Sequence, residues 1–393
     1  MKFWNLALLV GLAGCAALPP PACPPCAEAE KPSPAAKPYA PADWSELPGW
    51  ESEDHAALLE LFRAQCPAIA KRPLWKATCE AAQKMSAGGT TPAVGAGQTA
   101  QESARAWFEA HFRPWALIEP NGSREGLVTG YYEPVIRGSR TKTPPYLTPV
   151  FGPPEDLIVV DLASLYPELK SLRLRGRLEG RRLVPYYSRA EWAAEEEKRA
   201  GEALLWVEDP VEFFFLQIQG SGQVELPDGR RIRIGYADQN GHPYRSIGRW
   251  LIEQGELQPH EASMQGIKAW AAAHPARVKE LLEVNPSLVF FRELPVTGSG
   301  PPGALGVPLT PERSLAVDPR YTPLGAPVWL ATTRPAMDAP LRRLMLAQDT
   351  GGAIKGPVRA DFFWGSGPEA GELAGRMKQK CKMWVLLPRW HNP

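Results

Sequence analysis

The first part of the chain carries apolar residues at the spacing of α-helices. In HAALLELFRAQCPAI, and again in QESARAWFEAHF, apolar side chains recur every three or four residues. A run rich in Gly, Thr and Pro at residues 88–98 separates the two segments. We therefore predict helices between about residues 44 and 116.

From residue 127 the pattern changes to short β-rich segments bounded by Gly and Pro. The clearest hairpin is VELPDGRRIRI, in which Pro227-Asp228-Gly229 supplies the turn. Helices are predicted in YRSIGRWLIEQGEL, EASMQGIKAWAAAHP and ARVKELLEVN, and strands return from about residue 286. Because strands and helices do not alternate regularly, the pattern favours β-barrels with helical additions over a doubly wound α/β sheet. The predicted strands lie in LVTGYYEPVI, LIVVDL, RLVPYYS, EFFFLQIQGSGQVEL, RIRIGYA, SLVFFREL, RSLAVD, APVWLATT, RRLMLAQD and KMWVLLP.

Residues 1–15, MKFWNLALLVGLAGC, combine a lysine, a short apolar run and small residues. The run is too short to span a bilayer permanently, so we predict an export signal. Its end, LAGC, resembles the lipobox of bacterial lipoproteins. This resemblance implies cleavage before Cys15, lipidation of the Cys15 thiol and, from Ala16, sorting to the outer membrane. The alternative is an ordinary signal peptide with an incidental cysteine.

Residues 16–43 are rich in Pro and Ala and are predicted to form a stiff, extended tether. Its Cys23 and Cys26 lack the second pair of ligands that a metal site needs, so we interpret them as exposed tether cysteines. Cys66 and Cys79 lie thirteen residues apart and could form a disulfide in an oxidising periplasm.

Composition narrows the classes of function. The 393 residues suffice for two domains, and a 44% apolar fraction with 14 Trp can build a core. Lys plus Arg number 44 and Asp plus Glu 43, so no long-range field favours nucleic acid or an anionic membrane surface. No P-loop, dinucleotide fingerprint, zinc-protease or nucleophile-elbow motif is present, and the six His lack metal-ligand spacing. We therefore expect no cofactor, no metal and no nucleic-acid partner.

The segment LMLAQDTGGAIKGPVRADFFWG places Asp349 and Asp361 at either end of a glycine-rich loop. The aromatic residues after Asp361 are predicted to shield its carboxyl from water and to raise its pKa, as a proton donor requires. Backbone N–H groups and the nearby Lys355 are predicted to hold Asp349 ionised. The alternatives are a capped turn residue for Asp361 and, for Asp349, an aspartic-protease loop, of which only one copy is present.

Two segments carry amides and hydroxyls that suit neutral sugars. FFFLQIQGSGQVEL is predicted to put Gln217 and Gln219 on one face of a strand, beside a Gly-Ser-Gly run that a ligand can approach closely. GYADQNGHPYRSIG adds Tyr236, Asp238 and Asn240 in a loop that leads into a helix. The alternative for Asp238 and Asn240 is to close turns and cap that helix.

Five motifs together resemble the membrane-bound lytic murein transglycosylase A family: GYYEP, FFLQIQGSG, GYADQNGHPYRSIGR, GVPLTPERSLAVDPRYTPLGAPVWL and QDTGGAIKGPVRADFFWGSGPEAGELAGRMKQ. The resemblance implies a mainly β fold with helical additions. In that fold, a double-psi β-barrel domain spans residues 44–145 and 289–390, a second β-barrel domain is inserted at 146–288, and a groove separates them. The chain departs from the family at Cys381, which we expect in a turn.

The resemblance also implies an activity. Family members cleave the β-1,4 bond between N-acetylmuramic acid and N-acetylglucosamine and close the muramyl residue into a 1,6-anhydro ring. By motif position, Asp361 is the single catalytic residue, and we expect Asp349 and Lys355 to support it. The expected substrate contacts are Tyr132, Gln217, Gln219, Ser221, Gly222, Tyr236, Asp238, Asn240, Phe363 and Trp364.

One acid can suffice because the attacking group is the sugar's own 6-hydroxyl. Ordinary glycosidases need a second carboxyl to attack the sugar or to activate water. Here one carboxyl donates a proton to the leaving oxygen and then takes the proton of the attacking hydroxyl. The expected location is the periplasmic face of the outer membrane, with peptidoglycan strands, and other cell-wall enzymes, as partners. The alternatives are a cell-wall binder without turnover and a hydrolase.

Overall fold

The computed structural model describes residues 38–85, 99–295, 300–337 and 339–393. The predicted export signal with Cys15, and the part of the tether that carries Cys23 and Cys26, lie outside these ranges. Within them, no helix combines the length and the apolar character that a membrane crossing needs.

The predicted amino-terminal helices are confirmed. Asp54 caps the first helix by accepting a hydrogen bond from the Ala57 N–H at 3.0 Å, and Thr99 and Glu102 form a capping box at the third. A disulfide between Cys66 and Cys79 joins the first two helices. The helices are α1 (His55–Ile69), α2 (Pro73–Lys84), α3 (Ala100–His111), α4 (Arg189–Glu195), α5 (Pro210–Gln219), α6 (Ile247–Glu253), α7 (Met264–Ala273), α8 (Val278–Glu283) and α9 (Pro368–Arg376).

The strands divide into a closed barrel and an inserted region. They are β1 (Tyr39–Pro41), β2 (Phe112–Leu117), β3 (Gly126–Glu133), β4 (Val135–Ser139), β5 (Thr148–Phe151), β6 (Ile158–Val159), β7 (Arg175–Glu179), β8 (Arg182–Pro185), β9 (Ala203–Val207), β10 (Ser221–Glu225), β11 (Arg231–Gln239), β12 (Val289–Leu294), β13 (Ser314–Val317), β14 (Pro327–Thr333), β15 (Pro340–Asp349), β16 (Arg359–Ser366) and β17 (Lys378–Pro388). The prediction of a mainly β fold with helical additions is confirmed.

Six strands close the barrel, because β3 pairs with both β16 and β17 and the ring continues through β14, β15 and β13. Strands β2 and β1 extend the sheet from β17. The sequence predicts no strand at residues 359–366 and assigns them to the end of a loop, whereas they form β16. It also predicts Cys381 in a turn, whereas Cys381 is buried on β17. Side chains that fill the barrel core include Val128, Leu315, Val328, Met345, Phe362 and Val385.

The inserted region runs from β4 to β12 and holds a six-stranded sheet in the order β12-β11-β10-β4-β9-β5 and a small sheet in the order β6-β7-β8. Its first and last strands lie outside the expected insert of residues 146–288. The predicted hairpin forms between β10 and β11, where Val224 pairs with Ile232 and Gly229 takes a φ of 80° in the turn. Helices α4 to α8 belong to the same stretch of chain and pack beside these sheets.

The strand prediction for residues 213–219 is wrong, because these residues belong to helix α5. Asp209 accepts hydrogen bonds from the N–H groups of Val211 and Glu212 at 2.7 and 3.2 Å, and Pro210 takes the first helical position. Gly220, with a φ of 79°, ends the helix. The apolar run is buried nearly throughout, so its pattern does not distinguish a buried helix from a buried strand.

A buried carboxylate joins the barrel to the inserted region. Glu133, at the end of β3, accepts hydrogen bonds from Arg233 Nε at 2.6 Å, Gln223 Nε2 at 2.7 Å and Ser366 Oγ at 2.7 Å. Arg233 and Gln223 lie on the inserted hairpin, and Ser366 lies on β16. Because the charge is paired and fully hydrogen-bonded, its burial is compensated.

Candidate active site

Asp361 lies on β16, on the face that points away from the barrel core. Side chains alternate along a strand, and Ala360, Phe362 and Trp364 all join the core on the other face. In the parallel pairing with β3, Asp361 stands opposite Thr129. The Thr129 hydroxyl donates a hydrogen bond of 2.6 Å to Asp361 Oδ1. This single side-chain bond orients the carboxyl.

Arg359 determines the direction of that hydrogen bond. Its Nη2 donates to Thr129 Oγ1 at 2.8 Å. A hydroxyl has one proton, and guanidinium nitrogens only donate. Thr129 therefore accepts from Arg359 and gives its own proton to Asp361. Oδ2 of Asp361 makes no hydrogen bond with the described residues, and the side chain is only half-buried.

Asp349, at the end of β15, is the second carboxyl of the site. Ala316 on β13 pairs with Asp349 on one side and with Asp361 on the other. The two aspartates thus lie at the same level, two strand spacings or about 10 Å apart along the sheet. Asp349 Oδ1 accepts hydrogen bonds from the N–H groups of Ala304 and Thr350, both at 2.9 Å.

Burial raises the pKa values of both carboxyls. For Asp361 the pKa rises to about 6; the charge of Asp349 adds to the rise, while the Thr129 hydrogen bond and Arg359 oppose it. The pKa of Asp349 is also raised by burial, although two backbone N–H groups oppose this. The predicted backbone N–H bonds to Asp349 are confirmed, but burial outweighs their effect on its pKa. Lys355 is exposed and makes no ion pair with either aspartate in the described chain, so Arg359 is the nearby cation.

Tyr131 lies beside the two carboxyls on β3. Burial, followed by the charges of Asp349 and Asp361, raises the pKa of Tyr131 well above its ordinary value, so the phenol stays protonated. Its buried hydroxyl opposes the rise in the pKa of Asp349, but it lies outside good hydrogen-bonding geometry with that carboxyl. Tyr131 is thus a protonated hydroxyl beside Asp349 that can donate a hydrogen bond.

The chain matches two family models and several known proteins. Residues 127–292 match the MltA specific insert domain, and residues 313–387 match the 3D domain. Membrane-bound lytic murein transglycosylase A of Escherichia coli K12 is 36% identical over 266 residues, which are 66% of this chain and 64% of the relative. The Vibrio cholerae protein of the same name is 32% identical over 275 residues, covering 67% of each. The chain belongs to the membrane-bound lytic murein transglycosylase A family.

Solved structures of the family agree with the fold. The monoclinic crystal structure of MltA from Neisseria gonorrhoeae is 40% identical and covers 90% of this chain and 94% of its own, with a TM-score of 0.77. Escherichia coli MltA with bound chitohexaose is 28% identical and covers 91% of this chain and 96% of its own, with a TM-score of 0.65.

Three aromatic residues expected to contact a family substrate are buried instead. Phe363 packs against Tyr131, and Trp364 packs against Phe362 with ring centroids 4.6 Å apart. Tyr132 is buried, with its hydroxyl 3.5 Å from Met264 Sδ. None offers an open ring face, so the expectation that Tyr132, Phe363 and Trp364 contact substrate is corrected. Phe362 and Trp364 belong to the core on the face of β16 opposite to Asp361.

The two glutamines of α5 point to opposite sides of the helix. Gln219 Oε1 accepts a hydrogen bond of 3.3 Å from the N–H of Tyr132, next to the β3 residues of the site. Gln217 is buried and accepts from Arg189 Nη2 at 2.7 Å. Successive helical residues rotate by about 100°, so positions two apart point to opposite sides. The prediction of a shared face is therefore wrong. Gly222 is also buried, against Leu216, and offers no open backbone.

The GYADQNGHPYRSIG segment is mainly structural. Asp238 forms an ion pair of 2.9 Å with Arg175, and buried Asn240 donates to two backbone carbonyls at 2.8 Å. These contacts support the structural alternative for both residues, although Ser246, not either of them, caps α6. Tyr236 remains 37% exposed, and Ser221 on β10 is half-buried, so both stay predicted substrate contacts.

Thr129, Tyr131 and Arg359 are residues of the site that are absent from the sequence-based prediction. A signal for them was present, because residues two apart on a strand share a face. Thr129 and Tyr131 stand two apart in VTGYYE, and Arg359 stands two before Asp361 in VRADFF. Recognising β16 as a strand would have placed Arg359 beside the aspartate.

Proposed function

We propose that this protein is a lytic transglycosylase of peptidoglycan. It cleaves the β-1,4 bond between N-acetylmuramic acid and N-acetylglucosamine and leaves 1,6-anhydro-muramyl ends. The observation that carries the proposal is the Asp361 carboxyl, which is half-buried, is bound through one oxygen and has a pKa raised to about 6. Membership of the lytic murein transglycosylase A family supports the same reaction.

Asp361 acts first as the acid and then as the base. Its raised pKa keeps roughly one carboxyl in ten protonated at pH 7. Thr129 fixes Oδ1, so Oδ2 faces the glycosidic oxygen and gives it the proton. The resulting carboxylate then removes the proton of the 6-hydroxyl as that oxygen attacks the anomeric carbon. Atoms and protons balance without a water molecule.

Asp349 and Tyr131 assist this step. The negative charge of Asp349 stabilises the positive charge that develops at the anomeric carbon, and it raises the pKa of Asp361. The backbone N–H groups of Ala304 and Thr350 hold Asp349 in place. The Tyr131 hydroxyl, which stays protonated, donates to Asp349 or to a sugar oxygen.

The substrate is an extended glycan strand. The Escherichia coli relative has been solved with bound chitohexaose, a linear sugar chain, and this supports glycan binding here. Gln219 next to β3, exposed Tyr236 and half-buried Ser221 are the remaining candidates for sugar contacts. Asp238 and Asn240 act indirectly, by holding the end of β11 that carries Tyr236.

The protein is anchored by lipid on Cys15 to the periplasmic face of the outer membrane. The lipobox-like LAGC and the membrane-bound names of the relatives support this location. Replacing Cys15 with Ala should release the protein into the soluble fraction while activity on soluble glycan remains. Retention of the variant on membranes after a salt wash would contradict the anchor.

The reaction is tested by mass spectrometry of the products from purified murein. Muramyl ends that are 18 Da lighter than hydrolytic products, through loss of one water, support the transglycosylase. A second carboxyl near Asp361 favours a hydrolase as the alternative, because Asp349 could activate water. Reducing ends would establish that alternative, and glycan binding without products would make the protein a binder.

A further inference from the structure

The inserted region encloses a cavity of about 460 Å³. This volume falls in the range of roughly 300–1,000 Å³ that is usual for small-molecule sites. None of the residues that line it comes from the barrel strands that carry Asp349 and Asp361. The apolar part of the wall consists of Phe151, Trp192, Phe213, Leu282, Leu288 and Phe290.

Arg189 is a cation of this wall that several hydrogen bonds hold in place. Arg189 Nε donates to the Asn285 carbonyl at 3.1 Å, and Nη2 donates to Gln217 Oε1 at 2.7 Å and to the Ser287 carbonyl at 2.6 Å. Burial lowers the pKa of Arg189 to about 10, so it stays charged at neutral pH. Its Nη1 makes no hydrogen bond, and no carboxylate lies within 4.0 Å of the guanidinium, among the described residues. This nitrogen is free for an anionic group of a ligand.

A carboxyl stands on the same wall. Glu196 follows Arg189 by seven residues, which is two helical turns, so the two lie on one face of α4 about 10 Å apart along its axis. The Glu196 carboxyl makes no hydrogen bond and no ion pair within the described chain. Burial raises its pKa to about 7, and the charges of Arg189 and Lys279 oppose the rise. Lys279 itself pairs with Glu283 at 3.8 Å.

Of the four charged side chains that line the cavity, Lys279 and Glu283 pair with each other, whereas Arg189 and Glu196 have no ion-pair partner within 4.0 Å among the described residues. Glu196 would repel a simple anion, and Arg189 would repel a simple cation. A ligand that carries both charges therefore fits better than either. Two or three extended residues span about 7–11 Å, which matches the separation. We propose that this cavity binds a short zwitterionic peptide with apolar side chains, its carboxylate on Arg189 and its ammonium on Glu196.

Free short peptides, and stem peptides released from the glycan, carry both charges, whereas a stem still attached to muramic acid has an acylated amino terminus. Binding at this cavity is separate from bond cleavage, because no residue of the Asp361 site lines it. A titration of peptide therefore tests the cavity even if the proposed transglycosylase reaction is wrong.

The test is calorimetric titration of the full chain with the dipeptide alanylleucine. Two matched ligands, N-acetyl-alanylleucine and alanylleucine amide, each lack one charge. We expect the free dipeptide to bind at least about tenfold more tightly than either blocked form, since each loses a charged hydrogen bond. Absence of binding at millimolar dipeptide, or equal affinity for all three ligands, would overturn the proposal.

Glu196→Gln is the decisive variant, because it removes a charge without breaking any hydrogen bond of the described fold. The preference for the free dipeptide over the acetylated one should disappear. Glu195→Gln is the matched control: Glu195 lies next in sequence, pairs with Lys198 at 2.8 Å and does not line the cavity. A preference that survives Glu196→Gln contradicts the site. Released stem peptides should compete with alanylleucine, and stems still attached to muramic acid should compete at least about tenfold more weakly.

Discussion

Two regions of the molecule differ in how many partners the fold provides for their polar side chains. One is the barrel face around Asp361, and the other is the inserted segment around Asp238 and Asn240. Asp238 has an arginine partner, and Asn240 donates to two carbonyls, so both are satisfied by the fold. Asp361 receives one side-chain hydrogen bond and keeps a raised pKa. A compensated polar group stabilises the fold, whereas a buried carboxyl with too few partners is reactive. Residue type alone did not distinguish the two groups.

Glu133 tests the structural side of this comparison and should give the largest effect. Glu133→Gln leaves the buried Arg233 charge unpaired, so the free energy of unfolding should fall by about 3–5 kcal/mol. Urea denaturation measures the change. The control is Glu225→Gln, which breaks an exposed 2.8 Å pair with Arg231 on the same hairpin and should cost less than about 1 kcal/mol. Equal losses in the two variants would contradict the distinction.

Asp361 tests the reactive side. Asp361→Asn keeps the size of the side chain but cannot release and recover a proton, so turnover of murein should fall at least ~100-fold while glycan binding remains. Asp349→Asn should reduce turnover less, because Asp349 assists without transferring the proton. Release of anhydro-muramyl products and affinity for chitohexaose give the two measurements. If Asp349→Asn abolished turnover and Asp361→Asn did not, the two roles would be reversed.

The raised pKa of Asp361 also fixes the sign of two pH effects. Its stabilising contribution is present when the carboxyl is protonated and is lost as pH rises through about 6. Asp361→Asn should therefore raise the free energy of unfolding at pH 7. The donor must be protonated, so kcat of the wild type should fall as pH rises above about 6.

Thr129 should give an effect of intermediate size. Its hydrogen bond lowers the pKa of Asp361, so Thr129→Val should move the alkaline limb of the kcat profile to higher pH. Loss of the oriented charged hydrogen bond should also lower kcat at the optimum about tenfold. Thr129→Ser keeps the hydroxyl and should behave like the wild type. A lower kcat without a shift of the limb would mean that Thr129 affects only packing.

Local sequence patterns predicted most of the barrel, because its strands have flanking turn residues and β-rich composition. They failed at two buried segments. Residues 213–219 are apolar nearly throughout and are predicted as a strand, but they form a helix. The aromatic run after Asp361 is predicted as part of a loop, but it forms β16. In both cases the neighbours that bury the segment are distant in sequence, so local periodicity does not reveal them.

The site was predictable only in part for a related reason. Motifs identified Asp349 and Asp361, but the closing of the barrel brings Thr129 beside Asp361 across 232 positions of sequence. Asn240 has the residue type of a sugar contact, yet its partners are carbonyls about fifty residues away. Which polar groups remain free is a property of the assembled fold.

Gln219 and Gln217 give the smallest expected difference and the closest control, since they stand two residues apart on α5 and point to opposite sides. Gln219 lies next to β3, so Gln219→Ala should weaken chitohexaose binding by about two- to tenfold through loss of one neutral hydrogen bond and leave kcat nearly unchanged. Gln217→Ala should lower the melting temperature, because Arg189 loses a buried partner, and should leave chitohexaose affinity unchanged. Binding titrations and thermal unfolding of both variants check this pair. Unchanged affinity in Gln219→Ala would assign that glutamine to the scaffold with Asp238 and Asn240, and would confine the site to the barrel face.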